Sequence, residues 1–345
     1  MRGVVILGER TVDLWEFPDP VPGPGEVVVA IQASGLCGSD LRPYRGPRRD
    51  PASLVISGHE PCGVVVARGP GVSDREVRLG ERVMVHHYLG CGRCEHCRVG
   101  YSQLCRHGHL TYGANAHGGN APYMLVGAST LVPLPEALSF AEGAAIACGT
   151  GTAYSALKRL GVSGRDVLAV FGQGPVGLSA TLLGAAMGAR VVAIEPVPER
   201  RALAQAAGAW AVLDPAAVDP VAAIRDLTGG DGADAALDCT GNPIARVQAV
   251  RCARVWGRVC FVGEGNTTTF DVSPDIIHKQ LTIYGSWTFS TVGLAECARF
   301  IAERAVPLAR FITHRFRLEQ AAEAFRTFDS GVTGKCVFVL GDETP

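Results

Sequence analysis

The chain has no long hydrophobic run and almost no net charge, and each absence excludes a class of protein. No apolar stretch among its 345 residues approaches the ~18–20 residues that cross a bilayer. A net charge of −1 at pH 7 offers no basic surface to nucleic acid or to an anionic membrane. Twelve cysteines are too few for a disulfide scaffold at this length, and the first residues lack a secretory signal pattern. We therefore expect reduced thiols, a cytoplasmic location, and neither nucleic-acid nor membrane partners.

The length of the chain and its pattern of strands and helices predict two domains. A chain of 345 residues with 47% hydrophobic residues is too long for one simple core. Residues 1–150 contain short β-type runs between glycine and proline turns, which predicts an irregular, largely antiparallel β domain. Over residues 151–285, short apolar strands alternate with alanine-rich helical segments, which indicates βαβ units and a parallel sheet. The mixed pattern returns over residues 286–345, so the doubly wound α/β domain is predicted to interrupt the β domain.

Four cysteines stand close together between residues 91 and 105. They are Cys91, Cys94, Cys97 and Cys105, separated by two, two and seven residues. Four thiolates are the set that zinc takes in a closed, structural site. The bacterial ferredoxin run begins in the same way, but it closes after three residues with Cys-Pro, whereas Arg106 follows the last cysteine here. The spacing favours structural zinc over the iron–sulfur and disulfide alternatives.

A glycine-rich loop, Gly172-Gln173-Gly174-Pro175-Val176-Gly177, follows an apolar strand and precedes a helical segment. This context is typical of a dinucleotide-binding turn, where glycines let the backbone approach a pyrophosphate at the helix N-terminus. Glu195 ends the next strand, where a carboxylate accepts from both ribose hydroxyls of NAD and repels the 2′-phosphate of NADP. Arg200 and Arg201 lie nearby and soften that repulsion. We predict NAD, with NADP less favoured; a βαβ turn without ligand is the alternative.

Three further stretches carry candidate metal ligands. Cys37 lies in Cys37-Gly38-Ser39-Asp40, His59 and Glu60 follow Gly58, and Cys148 lies in an alanine-rich segment. Taken singly, each has a structural alternative, since a buried cysteine is usually a small hydrophobe. Together, two thiolates and one imidazole form a three-ligand set that leaves one zinc position open for catalysis. Their spacing alone does not establish that they converge.

In combination and in order, these motifs resemble the zinc-dependent medium-chain alcohol and polyol dehydrogenases, over essentially the whole chain. Alcohol dehydrogenase is itself the reference example of a zinc site with two cysteines and one histidine. The resemblance implies a GroES-like catalytic domain over residues 1–150, completed by 286–345, and a Rossmann NAD-binding domain over 151–285. It implies two zinc ions per chain, the catalytic one on Cys37, His59 and Cys148. Glu60 then enters the zinc sphere or stays outside it.

The implied reaction is reversible hydride transfer between a secondary alcohol or polyol and NAD, with an open zinc acting as Lewis acid on the hydroxyl. Ser39 resembles the family hydroxyl that carries the alcohol proton toward the cofactor ribose. Asp40 is expected to orient the His59 imidazole, the alternative being a turn aspartate that caps backbone. Many relatives have a histidine five residues after the first zinc cysteine, where this chain has Arg42, so the end of the proton relay stays open.

Other aspects of the function stay open as well. Val262 and Ser286 fall where family members line the nicotinamide. A zinc-independent quinone or enoyl reductase of the same superfamily and a non-catalytic nucleotide-binding relative are the alternative functions. The full set of cysteine and histidine ligands argues against both. The expected substrate is a small alcohol, polyol or cyclitol, and the resemblance suggests a homodimer or homotetramer.

Overall fold

The computed structural model describes residues 1–341, and they form two compact units. The first contains Met1–Gly151, Ser290–Ser330 and the chain from Lys335 onward, and the second contains Thr152–Phe289 with Gly331–Gly334. The units change after residues 151, 289, 330 and 334, and the domain boundaries expected after residues 150 and 285 stay a prediction. Within the described residues, no helix has both the length and the apolar character needed to cross a membrane.

The strands are numbered in chain order. They are β1 (Arg2–Gly8), β2 (Thr11–Glu16), β3 (Glu26–Gly35), β4 (Pro61–Arg68), β5 (Arg82–Val85), β6 (Tyr88–Leu89), β7 (Leu110–Thr111), β8 (Tyr123–Gly127), β9 (Leu131–Pro133), β10 (Val167–Phe171), β11 (Arg190–Ile194), β12 (Ala211–Leu213), β13 (Ala233–Asp238), β14 (Ala253–Phe261), β15 (Thr282–Gly285), β16 (Ile312–Phe316) and β17 (Lys335–Val339).

The α-helices are numbered in the same way. They are α1 (Leu41–Arg45), α2 (Glu95–Arg98), α3 (Phe140–Ala145), α4 (Gly151–Leu160), α5 (Pro175–Ala186), α6 (Pro198–Ala206), α7 (Pro220–Leu227), α8 (Pro243–Cys252), α9 (Thr291–Glu303) and α10 (Ala321–Asp329). Short 3₁₀ turns and two π-helical turns, Ile146–Thr150 and Ser273–Ile277, lie between them.

A seven-stranded sheet forms the body of the first unit. Its order is β16-β17-β3-β4-β5-β9, and β8 also pairs with β3. Every pairing is antiparallel except that of β16 with β17. Alternate residues of β3, namely Val27, Val29 and Ile31, are buried in one core cluster, as expected for a strand whose successive side chains point to opposite faces. The long strand β3 is thus the centre from which this unit is built.

The second unit is a parallel sheet with the strand order β12-β11-β10-β13-β14-β15. All five pairings are parallel, and every residue of β10 is buried. Near-continuous apolar strands such as VLAVF are required in a parallel sheet that is covered on both faces. The first strand lies in the middle and the order reverses between β10 and β13, which is the doubly wound arrangement of nucleotide-binding folds. The predicted combination of a largely antiparallel β domain with a doubly wound, parallel-sheet α/β domain is confirmed.

Candidate metal and cofactor sites

The four closely spaced cysteines converge in the first unit. The sulfur atoms of Cys91, Cys94, Cys97 and Cys105 all lie within 4.8 Å of one another. The Sγ atoms of Cys94 and Cys105 are 4.0 Å apart. A tetrahedral zinc with Zn–S distances of ~2.3 Å requires sulfur–sulfur separations of about 3.8 Å, so the Cys94–Cys105 separation is close to the one that zinc requires.

Backbone amides point at these sulfurs as they would at thiolates. Cys91 Sγ accepts from the amide of Cys94 at 3.3 Å, and Cys105 Sγ accepts from the amide of Cys91 at 3.3 Å. Hydrogen bonds from the amides of Arg93 and Cys94 lower the pKa of Cys91, and the amide of Cys97 leads those that lower the pKa of Cys94 to about 6. Amide donors favour the charged thiolate, which is the form that binds metal. We call residues 91–105 the cysteine lobe.

A second donor set also converges in the first unit. One ligand atom each from Cys37, His59, Glu60 and Cys148 lies within 4.8 Å of the others. The sulfurs of Cys37 and Cys148 are 3.9 Å apart, again close to the tetrahedral sulfur–sulfur separation of about 3.8 Å. Glu60 is fully buried, and His59 and Cys148 are less than one tenth exposed. The three ligands predicted from the sequence therefore lie together, with one carboxylate beside them.

Three elements bring these side chains to one place. Cys37 follows the end of β3, and His59 and Glu60 come directly before β4, which pairs with β3 so that Ser34 faces Pro61. Cys148 lies in the π-helical turn Ile146–Thr150 between α3 and α4, and α3 packs against both β3 and β4. A π-helical turn inserts a residue into a helix and is frequent at functional sites.

Asp40 connects two of the ligands. Its Oδ1 lies 3.1 Å from Nδ1 of His59, and its Oδ2 accepts from the backbone amide of Cys37 at 2.9 Å. This contact assigns Nδ1–H to Asp40 and leaves Nε2 of the imidazole for a metal. Ser39 Oγ lies 3.4 Å from that Nε2. Burial alone would lower the pKa of His59, but the Asp40 carboxylate outweighs it and holds that pKa well above its usual value.

The contact between the two sulfurs of this set favours one charged and one neutral thiol. Their mutual hydrogen bond lowers the pKa of Cys37 well below its usual value, and the same contact together with burial raises the pKa of Cys148 well above it. One thiolate therefore suppresses the other in the protein alone. A bound divalent cation removes this conflict, so the chemistry of the donor set fits zinc.

Lys335 lies beside the second donor set, although no sequence motif pointed to it. Its ammonium forms an ion pair with Oε2 of Glu60 and donates to the Leu36 carbonyl at 2.8 Å. Burial raises the pKa of Glu60 to about 7, against the opposing effect of the Lys335 charge. The one available signal was a lysine at the start of the apolar strand KCVFV, because lysine is rarely buried unless it is paired.

His87 is a second residue that the sequence reasoning left out. It is 2% exposed, and its ring centroid lies 5.2 Å from that of His59. The imidazole is hydrogen-bonded to the backbone of Ala147, next to Cys148. Burial lowers the pKa of His87 well below its usual value, which keeps the imidazole neutral. Two adjacent histidines, His86 and His87, were visible in the sequence, but nothing local distinguished a site residue from a core residue.

The glycine loop of the second unit connects β10 to α5. Gly172 has φ +85°, and a Cβ on Gly177 would lie 1.7 Å from the Gly172 carbonyl oxygen, so both positions require glycine. Pro175 occupies the first turn of α5, where its missing N–H costs nothing. A Cβ on Gly174 would meet Nη1 of Arg200 at 3.8 Å, so a guanidinium lies beside the helix N-terminus. Val176 follows within the first turn.

Glu195 is 4% exposed and is held on both sides by backbone amides. Its Oε2 accepts from Gln173 at 2.6 Å and its Oε1 from Val197 at 3.0 Å. Each carboxylate oxygen has two lone pairs, so acceptor capacity remains for a further donor. Arg201 is committed elsewhere, since it donates to the Glu195 carbonyl at 2.9 Å and pairs with Asp214 at 3.1 Å.

Val262 and Ser286 follow β14 and β15 at the carboxyl ends of these strands. The amide of Val262 donates to Asp238 at 3.0 Å and that of Ser286 to Phe261 at 3.0 Å. The glycine loop and Glu195 follow β10 and β11 at the same edge of the parallel sheet. Ligands of doubly wound folds bind at this edge, so the predicted cofactor residues share one side of the second unit.

Comparison with known proteins agrees with both units. Residues 23–136 match the family model for an alcohol dehydrogenase GroES-like domain, and residues 175–303 match that for a zinc-binding dehydrogenase. The uncharacterized zinc-type alcohol dehydrogenase-like protein YphC of Escherichia coli K12 is 40% identical over 99% of each chain. L-threonine 3-dehydrogenase of Pyrococcus horikoshii is 34% identical over 95% of each. The solved alcohol dehydrogenase TADH from Thermus sp. ATN1 has a TM-score of 0.89 at 30% identity, covering 99% of this chain and 100% of its own.

The chain belongs to the zinc-dependent medium-chain dehydrogenase family. Its relatives include alcohol dehydrogenases and L-threonine 3-dehydrogenases, so the protein is an oxidoreductase of the alcohol dehydrogenase type, and its relatives imply a small-molecule alcohol as substrate.

Proposed function

We propose that this protein is a zinc-dependent, NAD-linked dehydrogenase that oxidises a secondary alcohol or polyol to the ketone and catalyses the reverse reaction. One observation carries the proposal: Cys37, His59 and Cys148 present two sulfurs and one imidazole to a common point in a buried site. Three ligands leave a zinc position open for substrate, whereas the cysteine lobe offers four thiolates and is closed. The two sites would hold two zinc ions per chain.

When zinc is bound by Cys37, His59 and Cys148, it supplies a Lewis acid that acidifies the substrate hydroxyl. The chain's own residues prepare that site. Asp40 holds the His59 imidazole through Nδ1 and keeps Nε2 aimed at the metal. The Ser39 hydroxyl accepts the substrate proton and passes it on, since it lies beside that imidazole. Arg42 is exposed in α1, where many relatives have a histidine, so we propose that the proton leaves to water.

The glycine loop, Glu195 and Arg200 would hold a nicotinamide dinucleotide, which accepts the hydride when bound. The α5 N-terminus and Arg200 offer positive charge to the pyrophosphate. Glu195 supports NAD over NADP, because a buried carboxylate repels a 2′-phosphate. Val262 and Ser286 would line the nicotinamide from the same edge of the sheet.

We propose a polyol or cyclitol substrate, in which further polar groups flank the hydroxyl that is oxidised. The related L-threonine 3-dehydrogenase is likewise named for a substrate with polar groups beside its hydroxyl. A screen of sugar alcohols, cyclitols and simple secondary alcohols, followed by NADH formation, identifies the substrate and the favoured direction.

We also propose that the protein is a homodimer or homotetramer. Strand β15 ends the parallel sheet and leaves one edge without a partner among the described residues. Ile283 on that strand is 38% exposed, and Val255 and Trp256 on β14 are 51% and 68% exposed. An apolar sheet edge favours pairing with another chain, and a second copy is the partner we infer. The cytoplasmic location stays a prediction.

Metal content and one substitution test the proposed function. Cys37→Ser is expected to lower kcat/KM for alcohol oxidation at least ~100-fold and to lose one of two zinc ions, because it removes a ligand. Cys252→Ser is the matched control: its thiol lies in α8 of the second unit, outside both donor sets, and donates to the Ala249 carbonyl at 3.4 Å, so activity is retained.

Three outcomes distinguish the alternatives. Two zinc ions per chain with NAD-linked oxidation support the dehydrogenase. One zinc ion and no turnover would favour a non-catalytic nucleotide-binding relative. Reduction of quinones or enoyl compounds without zinc would favour the reductase, as would wild-type activity in the Cys37→Ser variant.

A further inference from the structure

We propose that Lys335 is a positioning residue that holds Glu60 outside the metal sphere and thereby keeps the fourth coordination position open for substrate. The inference rests on the proposed function, because it requires metal at Cys37, His59 and Cys148. It adds a residue that lies on the last strand of the chain, far in sequence from every ligand.

The contacts of Lys335 join the two segments that carry the ligands. Lys335 begins β17, which pairs with β3 so that Val337 faces Gly35. From there its ammonium reaches the carboxylate of Glu60, which follows His59, and the carbonyl of Leu36, which precedes Cys37. Lys335 is 5% exposed, so this charge is withdrawn from water and depends on these partners.

Gly35 leaves room for the ion pair between Lys335 and Glu60. A Cβ on Gly35 would lie 1.9 Å from Oε2 of Glu60 and 2.9 Å from Cε of Lys335. Any larger residue at this position of β3 would occupy the space in which the two side chains meet. The ion pair therefore fills a space provided by the strand itself, and it is not a chance surface contact.

Glu60 is close enough to become a ligand. One of its carboxylate oxygens lies within 4.8 Å of the ligand atoms of Cys37, His59 and Cys148. Carboxylates bind zinc at ~2.0–2.2 Å, and four protein ligands make a closed site. A fully buried carboxylate needs a cation nearby. With Lys335 present, that cation is the ammonium; without it, the nearest cation is the metal, and the carboxylate would take the open position.

The test uses the full-length protein with cobalt(II) at the proposed catalytic site and imidazole as an added ligand, followed by the visible cobalt spectrum. Imidazole is expected to change the wild-type spectrum, because a position is open. In Lys335→Met, its dissociation constant is expected to rise at least ~10-fold, and cobalt release to a chelator is expected to slow. The double variant Lys335→Met/Glu60→Gln should restore the wild-type response, since the competing carboxylate is gone.

Control variants distinguish competition between Glu60 and imidazole for the metal from a general loss of structure. Lys335→Arg keeps a cation beside Glu60 and is expected to retain imidazole binding. Lys279→Met removes another partly buried lysine, which donates to the Val250 carbonyl at 2.7 Å in the other unit, and should leave the cobalt spectrum unchanged. Glu60→Gln alone should also bind imidazole like the wild type, because Glu60 is not a ligand while Lys335 is present.

Each opposite result overturns the inference. Unchanged imidazole binding in Lys335→Met, or a double variant that behaves like the single one, contradicts competition by Glu60. If Lys335→Met does not fold, the Glu60→Gln variant still tests the inference. Clearly tighter imidazole binding by Glu60→Gln would contradict the inference, because it would mean that Glu60 ligates the metal in the wild type. A wild-type protein that takes up no cobalt at this site contradicts the proposed function instead.

Discussion

Single residues whose type no motif specifies hold the motif residues in position. Lys335 pairs with Glu60, and the Gln173 side chain donates to Val170 at 3.2 Å and accepts from Thr181 at 2.8 Å. The second arrangement fixes the loop whose amide reaches Glu195. Lys335 belongs to no motif, and Gln173 occupies a position of the glycine loop that the motif leaves unspecified. A sequence pattern therefore identifies the residues that contact ligands more readily than the residues that orient them.

The preference for NAD over NADP is predicted to depend on one residue, Glu195. Glu195→Gln removes one negative charge at nearly constant volume, and the ratio of kcat/KM for NADP to that for NAD is expected to rise at least ~10-fold, equivalent to about 1.4 kcal/mol. Steady-state kinetics with both cofactors measure it. Glu199→Gln, an exposed carboxylate in the next helix, is the control and should leave the ratio unchanged. A wild-type preference for NADP would contradict the role given to Glu195.

At the scale of elements, the cysteine lobe is too small to be stable by itself. Residues 91–105 contain the four-residue helix α2 and one 3₁₀ turn, and the two-residue strands β6 and β7 flank them in sequence. Helices of this length are not stable in water without tertiary or metal contacts. One backbone contact at its edge, from the Thr291 amide to the Gly100 carbonyl at 3.1 Å, fastens it to the start of α9. The metal is therefore expected to supply much of the lobe's stability.

Cys94→Ser tests this expectation. The variant is expected to lose one of two zinc ions and to unfold at least ~5 °C lower, because in a chain of this size 1 kcal/mol shifts Tm by roughly 2–4 °C. Calorimetry and metal analysis measure the two effects. Activity at 25 °C per remaining zinc should stay within a few-fold of the wild type, since the open site is untouched. An unchanged Tm would contradict the structural role of the lobe.

At the scale of the whole molecule, the exposed edge of the parallel sheet predicts self-association. Ile283→Arg places a charge on β15 and is expected to convert a dimer into a monomer, or a tetramer into a smaller species, because pairing would bury that charge. Light scattering coupled to size exclusion measures the mass. Val21→Arg, at a loop residue 81% exposed in the first unit, is the control and should not change it. A monomeric wild type would contradict the proposal.

Much of the architecture was predictable from the sequence because its signals are local. Apolar strands alternating with helical segments predicted the parallel sheet, and the glycine loop with its flanking strand and helix predicted where that sheet binds a ligand. The strand order of the first unit was not predictable in the same way. Pairing of β17 with β3 joins residues about three hundred positions apart, and no local pattern encodes such a contact.

Short-range patterns in the sequence were sufficient to predict the four-cysteine set and the strand–glycine loop–helix unit, and the order of the motifs indicated the family and the fold class. The second donor set was expected only from the family resemblance. The folded structure alone brings Cys37 and Cys148, 111 residues apart, together with their sulfurs 3.9 Å from each other. It also decided that Lys335 pairs with Glu60. These contacts depend on which strands pair and in which register, and long-range pairing is set by the packing of the whole unit.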